Sequence, residues 1–204
     1  MVGRLSLALL VLLVAAGAAA CLGQEITGSQ LVLSGQVRQD GRELQFRIRR
    51  LPVNAFPDLP GPVAAALEER GCLIPQTYEA HRPENVIHGS LERAGSSDWA
   101  VLCSVKGKVS LLVFFASASP TEPVVLAERL ETERLQEHDL TGVLGFNWGI
   151  DPASPGRIHE AQASMRHRPA PPDHDCVADS TIDHKTIYHL YRNGAWERVE
   201  VDSD

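Results

Sequence analysis

The chain has 204 residues, 44% of them hydrophobic but only 5% aromatic, and its 26 acidic against 19 basic residues give a formal charge of −7. That balance excludes the basic footprint of a nucleic-acid-binding surface and leaves no polybasic run to hold an anionic membrane. With so few aromatic rings, the core has to be built mainly from Leu, Val, Ile and Ala.

Residues 1–20 carry the pattern of an export signal. Arg4 supplies the positive start, Leu5 to Ala16 form an apolar run interrupted only by Ser6, and Ala18, Ala19 and Ala20 offer small residues for cleavage. The run is short for a spanning helix, and no second stretch approaches the ~20 apolar residues that spanning requires. The expectation is an extracytoplasmic protein: secreted, periplasmic or held to the envelope by lipid. Cys21 directly follows the alanines and is the lipidation candidate, the one route to a membrane expected for this chain. Ordinary cleavage nearby is the alternative. About 184 residues remain, enough for one domain with its own core.

The predicted elements begin with a hairpin over 31–49. Leu31, Val32, Leu33 and Val37 precede Asp40-Gly41, a strong turn pair. Beyond it Leu44, Phe46 and Ile48 alternate with Glu43, Gln45, Arg47 and Arg49, giving one buried and one wet face. Pro52, Pro57, Pro60 and Pro62 mark an extended connector, and Pro62 suits the first turn of a helix. Val63, Ala64, Ala66 and Leu67 give that helix an apolar side and Gly71 its stop, placing Cys72 just past its end. Over 85–116, three apolar runs separated by Gly95-Ser96-Ser97 and Lys106-Gly107-Lys108 predict an antiparallel meander. Its central strand is Leu111 to Phe115, apolar on both faces.

Residues 121–140 read as a strand followed by a loop or short helix, with Glu128, Glu131, Glu133 and Glu137 on a solvated face. Residues 142–150 read as one glycine-rich strand, and 155–168 as a helix capped by Ser154 and carrying Ile158, Ala161 and Met165 on one side. Ile187 to Tyr191 and Trp196 to Val201 flank Asn193-Gly194, a second hairpin in which Trp196 faces an aromatic such as Tyr188 or Tyr191. The expected organisation is a signal over 1–20, a hairpin and proline-rich connector over 21–61, and an α+β domain over 62–204. The fold class is α+β: a single domain with an antiparallel sheet or meander of about six to eight strands and two short helices.

The four cysteines lie at 21, 72, 103 and 176. Export permits disulfides, and four cysteines allow three connectivities. Cys72–Cys103 is the preferred bridge, with Cys176 left over.

Three stretches carry a resemblance: Arg70 to Gln76, Asn85 to Gly89 leading into Asp98 to Cys103, and the Tyr/Trp hairpin at 188–198. Together they resemble exported bacterial proteins of unknown function that contain an FG-GAP-like hairpin, the unit of integrin-type propellers. The resemblance implies an extracytoplasmic β-rich domain and no particular activity. FG-GAP hairpins often carry a calcium loop; here Glu92 to Asp98 offers too few oxygen ligands for a cage of about 6–8, so no calcium site is carried over. One hairpin also cannot make a propeller of ~4–8 blades.

Eight histidines in an acidic chain raise a metal question. His159, His174 and Asp175 are the candidate ligands, in a region that also holds Cys176, Asp179, Asp183 and His184. The spacing lacks HExxH, CxxC and paired histidines at helical separation, so no metal and no cofactor is expected. G-x-S-x-G, S-x-x-K and a phosphate-binding glycine loop are absent too. Asp98, Trp99 and Trp148 are candidates for a ligand face, although a turn Asp before a strand-opening Trp has a purely structural explanation. The expectation is a non-catalytic binding module for an unknown protein or small-molecule ligand. The alternative is a small extracytoplasmic hydrolase, with or without a metal, using 159–184.

Overall fold

The computed structural model describes residues 24–27, 30–138, 140–163, 170 and 172–202. The expected export signal, Cys21, Met165 and the end of the helix expected over 155–168 lie outside them. In chain order the elements are β1 (Gln24–Thr27), β2 (Gln30–Gln39), β3 (Arg42–Pro52), α1 (Gly61–Glu69), β4 (Leu73–Gln76), β5 (Val86–Gly89), β6 (Asp98–Val105), β7 (Lys108–Phe114), β8 (Val124–Leu130) and β9 (Leu135–Glu137). β10 (Leu144–Phe146), β11 (Trp148–Ala153), α2 (Pro155–Ala161), β12 (Cys176–Thr181), β13 (Lys185–Arg192) and β14 (Ala195–Asp202) follow. None of the helices among the described residues is long and apolar enough to cross a membrane.

Three hairpins form where the turn chemistry demands. Asp40-Gly41, Lys106-Gly107 and Asn193-Gly194 all hold both residues at positive φ, the backbone hand that matches the twist of the flanking strands. They join β2 to β3, β6 to β7 and β13 to β14. The last sets Tyr191 opposite Trp196, with ring centroids 5.1 Å apart. The segment expected as the central strand at 111–115 belongs to β7, which is flanked by β6 and β8, one place from the end of the strand order, and is buried from Leu111 to Phe114.

α1 starts on Pro60 and Pro62 and buries Val63, Ala66 and Leu67. At its end the Gly71 N–H donates to the Glu68 carbonyl and the Cys72 N–H to the Leu67 carbonyl, at 2.9 and 3.0 Å, with Gly71 at φ +71°. This paired bond pattern stops the helix and turns the chain back. Cys72 is thereby delivered to Cys103 on β6, and the two form a disulfide with Cα atoms 5.3 Å apart. The bond accords with an oxidising, extracytoplasmic setting.

The β-rich α+β class stands, but a single antiparallel sheet does not. The strands form two sheets, of ten and four strands among the described residues. The segment expected to be one strand over 142–150 is divided at Asn147. β10 enters the first sheet, where it lies parallel to β3, and β11 opens the second. The division follows from what each half can reach: the Asn147 N–H donates to the Arg134 carbonyl, while its own carbonyl accepts from Ile182 beside the second sheet. α2 runs from Pro155 to Ala161, with Ser154 accepting the Arg157 N–H as its cap, and residues 164–168 of the helix expected there lie outside the described residues.

Side-chain alternation sorts the apolar residues into three layers. On one face of the first sheet, Ile74, Val101, Cys103, Leu112 and Phe114 pack against Val63 and Leu67 of α1. The opposite face, with Phe46, Ile48, Leu102, Leu111 and Val113, meets Trp148, Ile150 and Val177 of the second sheet. The outer face of the second sheet, with Cys176, Ala178, Tyr188 and Leu190, is covered by Ile158 of α2. Asn85 ties the sheets together. Held at φ +69°, it donates from its side-chain nitrogen to the Pro75 and Trp148 carbonyls and accepts the Ile150 N–H.

Glu131 departs from the solvated face expected for its neighbours. It is 2% exposed, accepts the Ser104 hydroxyl at 2.7 Å and lies 3.8 Å from the buried Arg50 guanidinium. Glu128, Glu133 and Glu137 are exposed.

Candidate ligand-binding site

The ligand-face candidates separate. Asp98 is fully buried, and one of its oxygens accepts from the backbone of Leu91 and Glu92 while the other accepts from Ala116. It organises the loop before β6 and presents no face to solvent. Trp148 is fully buried between the sheets and donates its indole N–H to Asp179 at 2.6 Å. Only Trp99 reaches the surface. It is half-buried, tilted against His88 at 4.8 Å, and borders a shallow cleft formed with Phe56, Pro57, Pro83 and Val86.

The metal candidates are not brought together. His159 is exposed on α2. His174 is buried, with Nδ1 3.0 Å from the Asp175 carbonyl, and the Asp175 carboxylate accepts the Ser90 N–H at 3.0 Å. Among the described residues no three His, Cys, Asp or Glu side chains gather in a metal-holding arrangement. The Cys176 thiol is buried, and burial, reinforced by Asp175, pushes its pKa up to about 12, which suppresses the thiolate.

A different cleft draws several polar groups together. α1 covers only part of its face of the first sheet, and where it stops the same face carries Arg47, Arg49 and Gln76 instead of Leu51 and Ile74. A cleft of about 450 Å³ opens there, lined also by Thr77, Tyr78, His138, Thr141 and Val143. That volume lies within the usual range of small-molecule sites. The Tyr78 and His138 rings stack with centroids 4.5 Å apart and planes 6° apart. They lie over Gly145, where a Cβ would come within 2.5 Å of Tyr78 Cβ and 2.8 Å of His138 Cδ2. The glycine is what admits the stack.

The wall of the cleft is fixed from several sides. The Tyr78 N–H donates to the Phe146 carbonyl at 2.9 Å, and the Thr77 N–H donates to Glu84 Oε1 at 2.7 Å. Arg49 donates to the Thr77 and Ala80 carbonyls at 3.1 and 2.6 Å, clamping the loop that follows β4. The Tyr78 hydroxyl donates to Asp183 Oδ2 at 3.1 Å. A shallower neighbouring depression shares the two rings and carries Glu79, Glu137 and Asp183, so both basic and acidic groups adjoin the stack.

Burial, helped by the hydrogen bond to Asp183, pushes the Tyr78 phenol up from 10.0 to about 12. Because the folded pKa is the higher one, the neutral phenol's contribution to stability is complete below pH 10 and is lost as pH rises from 10 towards 12. In an ultraviolet titration, the phenolate step missing from Tyr78→Phe should therefore centre near pH 12. A missing step centred near the ordinary 10 would show the phenol to be unperturbed.

Sequence reasoning placed Arg47 and Arg49 on a wet strand face but singled out neither Tyr78 nor His138. The one local signal was Gly145, a glycine between two apolar residues of a strand, which marks close approach by another group. No protein-family model, curated protein or solved structure matches the chain.

Proposed function

We propose that this protein is an exported, non-catalytic binding module that takes a small organic ligand into the cleft beside Tyr78. The observation that carries the reading is the Tyr78–His138 stack held over Gly145 of β10: an aromatic wall on loops tied back to the sheet, next to converging polar side chains. The disulfide supports export. The His189–Asp179 pair is buried between the sheets and serves Trp148, so it is packed away from the cleft.

Amide chemical-shift mapping with benzamide, benzoate and benzylamine tests this. Perturbations should cluster at Thr77, Tyr78, His138 and Gly145 for at least one probe, and should vanish in Gly145→Val, whose side chain drives into the stack. Shifts confined to the surroundings of Trp99 and His88 would move the site to the other cleft, and no shifts at all would defeat the reading.

A further inference from the structure

The basic side chains of the cleft specify a ligand charge. Arg47 is exposed on β3, and its guanidinium makes no hydrogen bond or ion pair among the described residues. Arg49, two residues along on the same face, spends its hydrogen bonds on the backbone carbonyls of Thr77 and Ala80 rather than on a carboxylate. Each therefore retains an uncompensated positive charge, in a chain whose acidic residues outnumber its basic ones by 26 to 19. Several other cations of the chain do pair with carboxylates, Lys108 with Glu128, Lys185 with Glu200, Arg192 with Glu197 and Arg50 with Glu131; what sets Arg47 and Arg49 apart is that both line one cleft. The acidic side chains Glu79, Glu137 and Asp183 line the neighbouring depression that shares the two rings. A guanidinium fork matches the planar oxygens of a carboxylate or phosphate. The aromatic wall and Val143 offer apolar surface beside it.

Resting on the binding reading above, we infer that the cleft selects an organic anion, its carboxylate or phosphate on Arg47 and Arg49 and its flat apolar body against Tyr78. Arg47 is the specificity residue. Arg49 positions the wall as well as supplying charge, so Arg47 is the residue to change.

Calorimetric titration of the protein with benzoate, phenyl phosphate, benzamide and benzylamine separates the possibilities. Benzoate or phenyl phosphate should bind at least about tenfold more tightly than benzamide, the size expected for a charge-assisted hydrogen bond. The preference should shrink with added salt and fall to about twofold or less in Arg47→Gln. Which of the two anions binds better distinguishes a carboxylate from a phosphate ligand. Equal binding of benzoate and benzamide, indifferent to Arg47→Gln, would overturn the anion inference and leave the binding module intact. Tightest binding of benzylamine would overturn it in favour of the acidic depression. No binding by any probe would remove both.

Discussion

Replacing Asp179 by Ala is expected to cost about 2–6 kcal/mol, because it leaves two buried hydrogen-bond donors unsatisfied at about 1–3 kcal/mol each. Asp179 is 4% exposed and uses both oxygens. Oδ1 accepts the Trp148 indole N–H at 2.6 Å, and Oδ2 lies 3.0 Å from His189 Nε2, with His189 itself 2% exposed. Since a carboxylate only accepts, the hydrogen in that contact sits on His189 Nε2, which fixes the ring's tautomer. The network reaches further. The Arg134 guanidinium stands 4.6 Å above the Trp148 ring and donates to the Thr181 hydroxyl at 2.7 Å. Burial pulls the Arg134 pKa down, and the charge of Asp179 opposes that pull. Alanine would leave the Trp148 indole and His189 Nε2 without these acceptors and remove the largest compensating charge on Arg134, between two sheets that no disulfide links among the described residues. Typical domains have about 5–15 kcal/mol in total, so the variant should sit near its unfolding threshold. Urea unfolding measures the loss; Asp179→Asn, which keeps the shape, should lose less. A loss under about 1 kcal/mol for the alanine variant would mean the network contributes no more than an ordinary surface group.

Removing the Cys72–Cys103 bridge is expected to cost about 3–4 kcal/mol, given its sequence separation of 31 in the loop-entropy picture. For a chain of this size that corresponds to a fall in Tm of roughly 6–16 °C. Both sulfurs are buried among Ile74, Leu112 and Phe114, so the double serine variant also places hydroxyls in an apolar layer. The double alanine variant isolates the cross-link better. Exchange with the third described cysteine is suppressed, because the Cys176 thiol is buried and its pKa is pushed up to about 12. Thermal unfolding of the double alanine variant, beside a thiol titration of the denatured but unreduced protein, checks both points. An unchanged Tm, or Cys72 and Cys103 both reacting as free thiols, would contradict the bridge.

What could be read in advance was local. Asp40-Gly41 and Asn193-Gly194 announce their hairpins because a two-residue turn leaves few alternatives, and Gly71 ends α1 because it readily adopts φ +71°. The pairing of Cys72 with Cys103 then follows from where the helix stops. What stayed hidden depends on partners distant in the chain. Glu131 has the same side chain as its exposed neighbour Glu133, and only the arrival of Arg50 and Ser104 sets it apart. Asn85 reads as a polar residue before a strand; its role as a tie appears only when β11 presents the Trp148 carbonyl and the Ile150 N–H. The break at Asn147 was illegible for the same reason, since an apolar, glycine-rich run does not say which of two sheets each half will join. The cleft combines β3, the loop after β4 and the segment around 138–146, so its members have no common spacing.

The most direct test of the account is a crystal structure of the protein grown with benzoate. The account predicts the carboxylate within hydrogen-bonding distance, about 3 Å, of the Arg47 guanidinium, with the ring against Tyr78 and the Tyr78–His138 stack in place over Gly145. Benzoate seated instead beside Trp99, or a cleft in which Arg47 pairs with a carboxylate of the protein itself, would contradict it.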